Sequence, residues 1–131
     1  MTITLYATTA AVFLILDAIM LTLVMKPLFT RHIGPLMAEP IRIAPAALFY
    51  LAYVAGLVYL VSLPALRTGS PVLIPALIIG LMAYGTYEFT SWSIMRDWHW
   101  SLVATDTLWG GTLTAFSAWA AMPAPDRAKL M

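Results

Sequence analysis

At 131 residues, with 62% hydrophobic and only 10% charged side chains and a mean hydropathy of +0.87, the chain has the composition of a polytopic membrane protein; a soluble domain carries about 25% charged residues. The formal net charge of +1 leaves no footprint for nucleic acid. The absence of cysteine excludes disulfides, thiolate metal sites and cysteine nucleophiles.

Four apolar stretches of about 20 residues, each enough to cross a hydrocarbon core of about 30 Å, predict an all-α, four-transmembrane-helix bundle in one domain over 1–131. The first covers about 3–25 and is stopped by Lys26-Pro27. No Lys or Arg precedes it, it is too long for a signal-peptide core, and Asp17 interrupts it, so it is expected to be retained. The following loop, about 26–42, carries three cations plus His32. Phe29, Ile33, Leu36 and Met37 recur there at helical spacing, which lets part of it lie in the interface, while Pro35 and Pro40 argue against one continuous helix. Helix two covers about 43–63, with Pro45 in its opening turn and Pro64 at its end. An ordinary turn leads to helix three, about 72–93, with Pro75 in the first turn, where proline costs little. Arg96-Asp97-Trp98-His99 is so short a connection that helices three and four are antiparallel neighbours. Helix four, about 100–122, is stopped by Pro123 and Pro125. No internal repeat is evident.

Four crossings put both termini on one face and loops one and three on the other. Lys26, Arg31, Arg42 and Arg96 count for the loop-one side against Arg67, Arg127 and Lys129 opposite, which with the cations after helix one favours termini outside and the loop-one side cytoplasmic.

Asp17, Glu88 and Asp106 stand inside these spans. An acid near the bilayer centre opposes insertion by roughly 2.5–3.5 kcal/mol. At about 1.5 Å per residue, all three are displaced from the middle by about 5–9 Å towards the loop-one side. Glu88 and Asp106 are equally far from the third connection, so they can meet at equal depth, where two carboxylates cannot both ionise easily. Such a pair suits a proton relay, a cation site or general acid/base work. Tyr84 and Tyr87 share the Glu88 helix, Trp109 and a run of small residues share the Asp106 helix, and helix two brings Tyr50 and Tyr53 to similar depth. Buried acids can also merely lock packing through hydrogen bonds; intramembrane acids nonetheless default to functional hypotheses. Trp92, Trp98 and Trp100 read as an interfacial aromatic belt. His32 and His99 are weak metal candidates that with Asp106 could suit zinc or iron, but no paired-histidine spacing occurs and plain interfacial histidines are the better reading. No phosphate loop, Ser-His-Asp pattern or nucleotide fingerprint is present, and no cofactor is expected.

Tyr6-Ala7, Phe13, Asp17-Ala18 and Lys26-Pro27-Leu28-Phe29, then Ala47-Leu48-Phe49-Tyr50 with Tyr53-Val54-Ala55-Gly56, then Ala83-Tyr84-Gly85-Thr86-Tyr87-Glu88, and finally Asp106 with Trp109-Gly110, form four ordered motifs. Together they resemble a family of small bacterial four-helix predicted inner-membrane proteins of unknown function. The resemblance covers nearly the whole chain. Members more often carry aspartate where Glu88 stands, followed by Thr-Asn; here Thr90 is followed by Ser91-Trp92. The resemblance implies an inner-membrane protein with no agreed activity, and a lipid-linked role through relatives encoded beside fatty-acid-modifying enzymes.

The leading expectation is a non-enzymatic bilayer protein with an acidic and aromatic pocket formed by Asp17, Tyr50, Tyr84, Tyr87, Glu88, Asp106 and Trp109. It would bind a small amphiphile, cation or proton, as a homo-oligomer or as accessory to a membrane enzyme or complex. The alternatives are a lipid-modifying enzyme using Glu88 and Asp106 as acid and base, and a purely structural subunit.

Overall fold

The computed structural model describes residues 2–37 and 43–131. The first rod is continuous over Thr2–Leu36: α1 (Thr2–Met20), one π-helical turn (Leu21–Met25), α2 (Lys26–Ile33) and a 3-10 turn (Gly34–Leu36). The second joins α3 (Ile43–Leu57), another π-helical turn (Val58–Ser62) and α4 (Leu63–Thr68). Two single helices follow, α5 (Leu73–Ile94) and α6 (Trp100–Ala120). No strand occurs among the described residues.

The expected stops at Lys26-Pro27 and Pro64 are corrected by the two π-helical turns. A proline inside an α-helix lacks one donor, and its ring strikes the carbonyl one turn back. In both rods the wide turn ends two residues before the proline, and its closing N–H reaches five residues back: Lys26 to the Leu21 carbonyl, Leu63 to the Val58 carbonyl. The widened turn relieves the clash, and the helix continues through the proline. The first helix therefore does not give way to a loop at 26. Pro35 falls in its closing 3-10 turn; Pro40 and Arg42 lie outside the described residues.

Thirty-five residues at about 1.5 Å each make the first rod about 52 Å long, well beyond a core of about 30 Å. The α2 end, with Lys26, Arg31 and His32, consequently projects past the hydrocarbon on the loop-one side.

Thr2–Leu36, Ala44–Thr68 and Leu73–Ile94 are long and apolar enough to cross a membrane. α6 is as long but richer in threonine, serine and glycine, and its position explains why. Ten of its 21 residues are buried against only four of 22 in α5, because α6 packs against α5, α1 and the π-helical turn of the second rod. Only a narrow stripe (Trp100, Ala104, Leu108, Thr112 and Phe116) is exposed. A helix shielded by its neighbours need not be apolar all round.

The α5–α6 hairpin is the tightest contact. A methyl on Gly80 would collide with the Gly110 carbonyl oxygen, the Gly111 Cα and the Thr114 hydroxyl, so only glycine allows this backbone approach. Phe13, Val54, Leu57, Val58 and Leu113 anchor the main apolar core. A second cluster of Met25, Trp98, Leu102 and Val103 joins the first rod to the α5–α6 connection, covered by Leu28, Phe29 and Ile33 from α2. At the opposite end the chain folds back: Val72 N–H donates to the Leu130 carbonyl at 2.7 Å, and the Trp119 indole to the Arg127 carbonyl at 3.0 Å.

Candidate functional site

The three intramembrane acids are all turned inward. Asp17 is 3%, Glu88 0% and Asp106 8% exposed, against a lipid-facing surface crowded with Leu, Ile and Phe. Their placement follows from local register. Asp17 lies one turn after Phe13, whose ring packs between Tyr50 and Tyr53 (centroids 5.7 and 5.6 Å) and thereby seats α3 beside the acid. Glu88 lies two turns after Gly80 and Asp106 one turn before Gly110, so the glycine contact draws the two carboxyls together.

Glu88 and Asp106 lie near enough on facing helices for each to act on the other. Glu88 Oε1 accepts from the Trp98 indole at 3.0 Å, while Oε2, equally buried, has no donor. Asp17 Oδ1 accepts from the Trp109 indole at 3.1 Å, with the Tyr50 hydroxyl close to the same carboxyl, and its Oδ2 is buried without a donor. Among the described residues, the groups acting on these three acids are one another, two indoles and a tyrosine; none is a lysine or arginine. Asp17 also acts on Asp106, so the three buried acids share one interior. Among the described residues no three His, Cys, Asp or Glu side chains are close enough to hold a metal ion.

The aromatic residues divide. Tyr50 and Trp109 are half-buried and serve Asp17. Tyr84 lies against the Gly110 backbone, with its hydroxyl buried and without a partner. Tyr87 turns outward at 53% exposure and meets the site only by its ring, edge-on to Trp98 at 5.9 Å. Tyr53 donates to or accepts from Thr114 at 2.9 Å, tying α3 to α6.

Trp98 is the residue sequence reasoning missed. Expected in an interfacial belt, it is 6% exposed and roofs Glu88. Its signal was the brevity of the connection, which leaves an indole one turn beyond α5 nowhere to go but back over the last inward-facing acid. The histidines also meet: His32 on α2 stacks on His99, with centroids 4.3 Å apart and planes 6° from parallel.

Fold and site together define an integral membrane protein of the helical-bundle class, with a buried carboxyl cluster towards the loop-one side. The chain belongs to the family described as predicted membrane protein (DUF2177), which matches residues 2–123. No curated protein and no solved structure matches it.

Proposed function

We propose that this protein is a non-enzymatic proton-binding membrane protein in which Glu88 and Asp106 hold one proton between them and release it or exchange it for a small cation. The observation that carries this reading is the burial of Glu88 and Asp106 on facing helices, with Glu88 Oε2 lacking any donor. Carboxylates only accept hydrogen bonds, so two of them in contact attract only when one carries a proton. Asp17 supplies a second acceptor near Asp106 on the way into the bundle.

A packing role fits less well, because acids that merely lock a bundle have both oxygens satisfied. Here Asp17 Oδ2 is buried without a partner, and Glu88 Oε2 has none unless a proton bridges it to Asp106. The amphiphile and lipid-modifying readings lack a comparable observation. We place the protein in the bacterial inner membrane with both termini outside, in keeping with Lys26 and Arg31 on the projecting α2. There it acts as a homo-oligomer or beside a membrane enzyme or complex.

A membrane-permeant carbodiimide, which reacts with protonated carboxyls, tests this in reconstituted protein by peptide mass spectrometry. The adduct is expected on Glu88 or Asp106, and to fall when a monovalent cation is added. Labelling confined to Asp97 and Asp126, outside the spans, would contradict the proposal.

A further inference from the structure

Access to the carboxyl pair from the loop-one side is closed by two layers. Trp98 roofs Glu88, and the Trp98 ring is in turn covered by Phe29 of α2 at 5.7 Å, with Leu28 and Ile33 beside it. α2 itself has no fully buried residue, so it is a lightly held cover. Its polar attachment is the stack of His32 on His99, the residue that caps the start of α6.

The geometry of that attachment needs an unprotonated Nδ1 on His99. His99 Nδ1 accepts from the Ser101 backbone N–H at 3.1 Å and lies 2.7 Å from the Ser101 hydroxyl. The same hydroxyl lies 3.4 Å from His32 Nε2. A proton on His99 Nδ1 removes the acceptor that caps α6. Protons on both rings place two positive charges face to face at 4.3 Å.

We propose that the His32–His99 stack is a pH-sensitive latch: neutral, it holds α2 over Trp98 and closes the carboxyl pair to the loop-one face; protonated, it releases α2 and opens that access. The role of the opening, though not the latch itself, rests on the reading of Glu88 and Asp106 as a proton site. Among the described residues, the charged groups on the elements that meet there are Lys26 and Arg31 on α2 and Arg96 and Asp97 in the α5–α6 connection, all exposed. Desolvation first, then charge on His99 and on Arg31, pulls His32 below its ordinary value of 6.5. A base with a lowered value in the closed state binds fewer protons there. The latch is therefore complete above the ordinary histidine range and weakens as pH falls through and below it.

Hydrogen–deuterium exchange of the full chain in lipid nanodiscs tests the latch at about pH 7.5 and about pH 5.5, either side of the histidine range, after correction for intrinsic exchange. Protection in segments 26–36 and 95–99 is expected to fall about fivefold or more on acidification, the repulsion of two unit charges at about 4 Å in water. It should stay flat in His32→Gln and in His99→Asn, which keeps a capping acceptor. Equal protection at both pH values in the parent, or the same acid loosening in both variants, would overturn the latch. As the second readout, labelling of Glu88 by a water-soluble carbodiimide, taken relative to exposed Asp97, should rise on acidification in the parent only. The exchange change should persist in Glu88→Gln. Failure of the carboxyl-pair reading would instead appear as no Glu88 or Asp106 adduct with the exchange change intact.

Discussion

Replacing Glu88 by glutamine or by alanine separates a shared proton from every other arrangement of the pair. Glutamine has the shape of a protonated glutamate. Its carbonyl can keep the 3.0 Å bond from the Trp98 indole, and its amide can donate to Asp106 in place of the proton. Glu88→Gln is therefore expected to change stability by no more than about 0.5 kcal/mol. Alanine removes all of this at a fully buried position. The Trp98 N–H is left unsatisfied, at about 1–3 kcal/mol, and a cavity opens where the side chain stood. Glu88→Ala is expected to lose about 3–4 kcal/mol, a drop of roughly 10 °C or more in melting temperature for a chain of this size. Tryptophan fluorescence during heating in detergent reads both, since unfolding exposes Trp98 to water. Glutamine destabilising as much as alanine would refute the reasoning, because it would mean that the site needs a negative charge at 88 instead of a donor towards Asp106.

Other consequences follow from the packing. Gly80→Ala should push α5 off α6, because the added methyl meets backbone at Gly110 and Gly111; a loss of about 1–3 kcal/mol is expected in the same melting assay. Trp109→Phe removes the donor to Asp17 Oδ1 and should lower stability by about 1–3 kcal/mol, while Asp17→Asn, which keeps an acceptor there, should lower it less. Acidification through the histidine range should loosen α2 through the lowered His32, as exchange protection over 26–36 reports.

Much of this architecture was legible in hydropathy and turn length. Four apolar runs and a connection as short as Arg96–His99 imply an antiparallel α5–α6 hairpin, and counting residues from that connection brings Glu88 and Asp106 to one depth. The ends of the first two helices were misread because proline is normally a stop; the π-helical turns at Leu21–Met25 and Val58–Ser62 have no composition of their own to announce them. Helical spacing puts Tyr87 on one face with Gly80, Tyr84 and Glu88, yet consecutive helix positions point about 100° apart, and Tyr87 at the edge of that face turns outward while Glu88 turns in. Trp98 was lost to the general preference of tryptophan for interfaces. His32 and His99 are 67 residues apart (99 minus 32) in the chain, and nothing short of the full packing of α2 on the hairpin brings them together.

If Glu88 and Asp106 share a single proton inside the bundle, infrared spectroscopy of reconstituted protein carrying isotope-labelled side-chain carboxyls observes it. One protonated, hydrogen-bonded carboxyl band is expected for the pair, absent in both Glu88→Gln and Asp106→Asn because each amide supplies the donor instead. Two ionised carboxylates in the parent, or a protonated band that survives both substitutions, would contradict the account.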